Sequence, residues 1–364
     1  MVRMNTQQSK MTNTHNQIRI QWIDTAKLLG IYLVILGHIP MTNNDLTALI
    51  YSFHMPLFFF LSGIMVKNEE IYETATKSFK TLIVPYVCFY LINLLYFFIN
   101  AYFRNPELLE DDLLKSFLGM FVGVVFDTDF STMASHPLWF LLGLFCCRLL
   151  YSMINNISGN HNDIVQIIFC IIFVIAAFLL KKNQLFLPWS LGSAFLAYPF
   201  FLVGSFVSKI IKTDKFIIQN KISIVIIMLV AFGVDYVLTF ANGGFDISRI
   251  AFGHNIVLSY ITAFAGITLF IILSNLIKKL SSFFNILAKN TIIILAFHRI
   301  ITNWIIFPLK KVYTFEVLDE KVLLPIIMAV VVAIAALFAC YIPIKIINEF
   351  FPWMLGKKEL QKSV

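Results

Sequence analysis

Long apolar runs alternate with short polar breaks along nearly the whole chain. Runs near residues 22–41, 46–66, 80–103, 136–155, 163–180, 187–208, 219–240, 254–277, 287–308 and 322–347 each approach the roughly 20 apolar residues that a helix needs to cross a hydrocarbon core. Between them stand Asn, Asp, Lys, Gly and Pro, which close helices and open turns. The pattern predicts an all-α fold, a polytopic integral membrane protein with about ten transmembrane helices. One further apolar piece, 113–126 (LLKSFLGMFVGVVF), is too short to cross and is flanked by acids, so it is expected at the interface or as a re-entrant helix. No repeat of fixed period is visible.

Composition agrees with that pattern: 59% of the 364 residues are hydrophobic and only 13% charged, which excludes a soluble globular chain. The net charge of +8 would suggest nucleic acid in a soluble protein. Here it has a simpler origin, because Lys and Arg collect on cytoplasmic loops. With the N-terminus inside, eighteen Lys and Arg fall on the cytoplasmic side and eight outside, leaving Lys27 and Arg299 within spans. Both termini are therefore expected in the cytoplasm, the protein in the inner (cytoplasmic) membrane as a multi-pass chain among membrane lipids, and no nucleic acid as partner.

Residues 1–21 read as a polar, basic cytoplasmic tail rather than a cleavable leader, residues 22–348 as the ten-helix membrane domain, and 349–364 as a cytoplasmic C-terminal tail. Cys88, Cys146, Cys147, Cys170 and Cys340 all lie in apolar runs without metal-type spacing, which predicts packing roles and no metal site.

Ionisable side chains inside spans cost roughly 2.5–3.5 kcal/mol each on insertion scales and are functional candidates by default. The first span, WIDTAKLLGIYLVILGHIP, carries Asp24, Lys27 and His38. At ~100° per residue, Lys27 and His38 share a face and stand roughly 16 Å apart along the axis. Gly30 and Gly37 lie near that stripe and would admit a close neighbour. The bland alternatives are a Lys27 that snorkels to the interface with Asp24 as partner, and a His38 that merely packs. Against them, the second span returns another imidazole, His54, to the outer half. His136 and Trp139 open the fourth span, where a sugar-binding edge and an interfacial anchor are both open readings. Arg299 sits well inside the ninth, and Asp235, the one carboxylate deep in a later span, is its candidate partner.

Several of these residues carry a resemblance. Lys27, ten intervening positions and His38, then His54-Met55-Pro56-Leu57-Phe58-Phe59-Phe60-Leu61-Ser62-Gly63, resemble the start of the integral-membrane acyltransferase-3 family, especially its fucose-acetylase-like, polysaccharide O-acetyltransferase branch. Lys77-Ser78-Phe79-Lys80 matches that family's pair of basic residues at i and i+3. Pro85-Tyr86, His136-Pro137-Leu138-Trp139-Phe140-Leu141 and Phe297-His298 add further echoes. Lysine stands at 27, 77 and 80 where arginine is the commoner choice, which keeps the charge but loses the bidentate fork.

The resemblance implies transfer of an acetyl or other short acyl group from acyl-CoA, with acetyl-CoA as donor, to a sugar hydroxyl of a cell-surface or lipid-linked glycan. Lys77, Lys80 and Lys27 would then meet the polyanionic donor from the cytoplasm, and the pantetheine arm would run along the Lys27–His38 stripe. His38, assisted by His54, would act as general base or as a transient acyl carrier. His136, Trp139 and Arg299 are the candidate acceptor contacts. A transporter or export component for an exopolysaccharide is the alternative, although no inverted repeat with paired broken helices is present to favour it.

Overall fold

The computed structural model describes residues 21–40, 44–104, 109–123, 136–159, 162–211, 220–277, 279–312 and 323–357. Helices α1 (Gln21–Gly37) and α2 (Asn44–Ile64) form an antiparallel pair. Next, α3 (Ile71–Ser78) runs through a π-helical turn (Phe79–Ile83) into α4 (Val84–Arg104), along which α5 (Leu109–Val122) folds back. Five long helices follow: α6 (Trp139–Ser158), α7 (Asn162–Lys182), α8 (Leu191–Ile211), α9 (Lys221–Asn242) and α10 (Ile256–Leu276). The short α11 (Ser282–Lys289) leads into α12 (Thr291–Val312), and α13 (Leu323–Ala339) continues past a turn at Cys340 as α14 (Tyr341–Phe350).

Among the described residues, nine stretches are long and apolar enough to cross a membrane, and they match the second to tenth runs of the sequence. The first run is α1, whose 17 residues stand at the short end of the spanning range. Boundaries move where backbone chemistry intervenes. The third helical stretch starts at Ile71 rather than near 80, because the π turn lets the helix pass Pro85 without breaking. There the Val84 N–H reaches back five residues to the Phe79 carbonyl, and the next residue, Pro85, has no N–H to give. The segment expected at 113–126 is instead helical over Leu109–Val122, held to α4 by the Tyr90 and Tyr86 hydroxyls, which donate to the Ser116 and Met120 carbonyls.

Burial sorts the helices into an inner and an outer set. In α2, 72% of the most apolar stretch is buried, whereas α7 and α9 bury 11% and 17% of theirs. An outer surface so rich in exposed Ile, Val, Leu and Phe belongs against lipid. Helix α2 packs against α1, α8, α9 and α10. Small residues let the backbones meet there: a Cβ on Gly63 would fall 2.0 Å from the Phe201 carbonyl oxygen, and one on Gly204 2.1 Å from that of Phe60. The cysteines are all free, with Cys147 and Cys340 buried in the core.

Candidate active site

Gly30 and Gly37 bring α1 onto α2, as their place beside the Lys27–His38 stripe predicts. A Cβ at Gly30 would lie 3.1 Å from the Phe58 ring, and one at Gly37 3.1 Å from the Tyr51 ring. This contact places His38, in the turn that closes α1, beside the first half of α2. The His38 ring is half-buried, and its Nδ1 stands 2.7 Å from the Val34 carbonyl oxygen. A carbonyl only accepts, so Nδ1 carries the proton and Nε2 keeps a lone pair in the neutral ring.

Two other histidines repeat the arrangement. His54 Nδ1 is 2.7 Å from the Ile50 carbonyl oxygen, and His298 Nδ1 lies 3.1 and 2.9 Å from those of Ile294 and Leu295. The His38 and His298 rings meet edge to face with centroids 5.1 Å apart. Between His38 and His54 stands the Tyr51 ring, 6.1 Å from the first and 4.9 Å from the second. His298 is fully buried, and its Nε2 finds no hydrogen-bond partner among the described residues. A buried ring nitrogen left in that state is costly and calls for an explanation in chemistry.

Charge surrounds this cluster on two sides. Arg299, half-buried on α12, lies within electrostatic reach of His38, Tyr51 and His298. Asp246 and Arg249, from the loop between α9 and α10, come within reach of Tyr51. That loop is tightly built: Asn242 Oδ1 accepts from the Asn255 N–H at 2.7 Å, its Nδ2 donates to Ser259 Oγ at 2.8 Å, and Asp246 pairs with Ala251 in a short antiparallel bridge. Gly253 (φ +61) is forced to be glycine, since a Cβ would sit 2.0 Å from the Asn242 carbonyl oxygen. Burial holds the Asp246 carboxyl above the usual carboxylate range, against the opposing pull of hydrogen bonds from Ser248 and of the Arg249 charge.

Asp235 does not serve as the deep carboxylate facing Arg299. It is buried on α9, where its Oδ1 accepts from Ser52 at 2.8 Å and from Thr239 at 3.4 Å, tying α9 to the α2 turn that bears Tyr51 and His54.

At the other end of α2 lie the candidate donor contacts. Lys27 is half-buried, with Nζ 3.1 Å from Met65 Sδ. Lys77 is exposed and paired with Glu69 at 2.7 Å and Glu73 at 3.4 Å. Lys80 is exposed on the π turn, and a Cβ on Gly356 (φ +66) would fall 2.3 Å from the Lys80 carbonyl oxygen. The C-terminal turn Pro352–Leu355 therefore braces the π turn. Arg148 lies inside α6 within electrostatic reach of Glu69. His136 is half-buried in a 3-10 turn (His136–Leu138) that packs against α12. Trp139 is buried, its ring facing those of Phe59 and Phe140 in the core.

Sequence reasoning left two members of the cluster out of its candidate site. Nothing in the sequence marks Tyr51 except its position one turn before His54. His298 had a signal, an imidazole inside an apolar run, but only the crossing of α1 and α12 makes it a neighbour of His38.

Compared with known proteins, the chain matches the acyltransferase-3 family, described as an acyltransferase domain, over residues 20–345. No curated protein and no solved structure matches it. The chain belongs to the acyltransferase-3 family and is a membrane acyltransferase by that membership.

Proposed function

We propose that this membrane acyltransferase carries an acetyl or other short acyl group from cytoplasmic acyl-CoA, acetyl-CoA first among them, to a sugar hydroxyl of a cell-surface or lipid-linked glycan, as in the polysaccharide O-acetyltransferase branch. The observation that carries the reading is the pairing of His38 with His298, each with its Nδ1 proton spent on a carbonyl and Nε2 left to accept a proton. Acyl transfer to an alcohol needs such an acceptor near neutral pH.

In this mechanism His38 Nε2 takes the proton of the sugar hydroxyl as its oxygen attacks the thioester carbonyl. The tetrahedral oxyanion so formed is stabilised by the Arg299 charge. Collapse breaks the carbon–sulfur bond, and the departing CoA thiolate takes the proton from the His38 imidazolium. One ester forms, one thioester is lost, and the histidine returns to its starting state. His298, buried against His38, and His54, reached through Tyr51, hold the imidazole and the acceptor in register. Charge and placement support Lys77, Lys80 and Lys27 as the donor's phosphate contacts. Lys77 must leave Glu69 and Glu73 to make that contact, and exposed pairs of this kind contribute little because water screens them. His136 and Arg299 are proposed acceptor contacts; Trp139, buried as it is, would act by holding its helix start in place.

Mass analysis of the cell-surface glycan from cells with the native protein, His38→Ala or no protein tests the reading. The expected result for His38→Ala is unchanged glycan abundance with the ester groups missing. Glycan lost from the surface with its esters intact would make export the better description.

A further inference from the structure

Four non-glycine residues among the described ones hold a left-handed backbone: Gln184 (φ 54), Trp189 (φ 59), Ser190 (φ 54) and Ile250 (φ 52). Two of them, Gln184 and Ile250, line one cleft, and the Ile250 side chain reaches Gly192, two residues beyond Ser190, where a Cβ would fall 2.6 Å from Ile250 Cδ1. Left-handed geometry is least tolerable for a β-branched residue such as Ile250, and strain of this kind collects at ligand sites.

The cleft lies between the end of α7 and the α9–α10 loop and has a volume of about 100 Å³. Two cations from separate elements, Lys181 and Arg249, line it together with the Gln184 amide. That set suits a compact polyanionic oxygen group: an arginine fork, a point charge and a neutral donor, in space for roughly three waters and not for a sugar ring. Apolar side chains complete the wall. Of these, Leu185 is 57% and Phe186 38% exposed, at the end of a stretch that reads as a membrane span. The cleft is thus charged at its centre and open to hydrocarbon at its edge.

We propose that this cleft binds the phosphate of a membrane amphiphile, whose hydrocarbon leaves past Leu185 and Phe186 into the bilayer. Two sources share that chemistry: the head group of an ordinary phospholipid, and a polyisoprenyl phosphate of the kind that carries a glycan. Arg249 also lies within electrostatic reach of Tyr51, so a phosphate held here would present an attached sugar toward the His38–His298 cluster. The second source rests on the acyltransferase reading; the phosphate site does not.

The test is native mass spectrometry of the full-length protein, delipidated in neutral detergent and titrated with a polyisoprenyl monophosphate or with phosphatidylglycerol. One amphiphile should stay bound, and the double variant Lys181→Gln with Arg249→Gln should weaken it at least tenfold. Lys182→Gln, one residue along and outside the cleft lining, should bind as the native protein does. The charge-keeping pair Lys181→Arg with Arg249→Lys should retain binding, which separates lost recognition from lost folding.

A preference of tenfold or more for the polyisoprenyl phosphate, abolished in the double variant, supports the cleft with the glycan carrier as its ligand. Equal binding of both amphiphiles, again lost in the double variant, supports it with phospholipid as the ligand. Undiminished binding in the double variant, an equal loss in Lys182→Gln, or no retained amphiphile in the native protein would overturn the proposal. No acyl donor is present in the experiment, so its result does not depend on whether the chain acylates a sugar.

Discussion

The imidazoles of His38 and His298 meet edge to face 5.1 Å apart, although one closes the first helix and the other lies inside the twelfth. Each gives its Nδ1 proton to a carbonyl of its own helix. What remains between the two helices is a pair of Nε2 atoms, and the one on His298 is buried without a partner among the described residues. A structural core would fill that position with a hydrocarbon at lower cost. The pairing therefore makes the sharpest predictions about activity.

His38→Ala should insert at normal level and lose ~10²–10⁴-fold in acyl transfer, the usual worth of a general base. His298→Ala should fall by a similar factor, and the double variant little further, because groups that act as a unit are not additive. His54→Ala should impair transfer severely. Transfer of labelled acyl groups from acyl-CoA in membranes carrying each variant measures this. Retained transfer in His38→Ala would remove the mechanism.

Lys77→Ala combined with Lys80→Ala should raise the apparent KM for acyl-CoA on the order of tenfold or more while kcat changes less, since phosphate contacts are made equally in ground and transition states. Lys77→Arg keeps the charge and should be tolerated. Initial-rate kinetics on detergent-solubilised protein decide it, and an unchanged KM would place the donor elsewhere.

Orientation is testable without a substrate. Single cysteines at Glu70 and Lys221 should react with a membrane-impermeant maleimide only after the cells are opened. Cysteines at Lys182 and His254 should react on intact cells. These four positions are exposed; reversal of both pairs would turn the bundle over and bring the histidine cluster to the opposite half of the membrane, and reversal of one pair alone would overturn the span count.

Gly204→Ala should destabilise the bundle by about 1–3 kcal/mol or prevent its assembly, because the new Cβ would lie 2.1 Å from the Phe60 carbonyl oxygen and 3.1 Å from the Ile64 nitrogen. Gly233→Ala, where a Cβ would meet nothing within 4 Å, should be neutral or slightly stabilising. Thermal unfolding in detergent compares the two, and equal losses would mean that the α2–α8 crossing is not the tight contact described.

The all-helical class and the approximate places of nine of the ten expected spans were legible in the sequence. Bilayer thickness fixes the length of an apolar run, and lipid forbids an unpaired backbone, so a one-dimensional pattern suffices. Gly30 and Gly37 could be placed on the helix face that another helix approaches because 3.6-residue periodicity is local. The same periodicity set His38 above Lys27.

What no local rule contains is which helices touch. That His38 answers to His298, that Tyr51 rather than direct contact separates it from His54, and that Asp235 binds Ser52 all follow from the crossings of α1, α2, α9 and α12. Those crossings depend on side-chain packing between residues far apart in the chain. Trp139 shows the same limit from the other side: an aromatic at the start of an apolar run has an interfacial pattern, yet its ring is buried against Phe59 and Phe140. Sequence determined which residues are expensive to keep in a membrane; tertiary packing alone decided which of them stand within reach of one another, because that is a property of surfaces meeting and not of the pattern along either one.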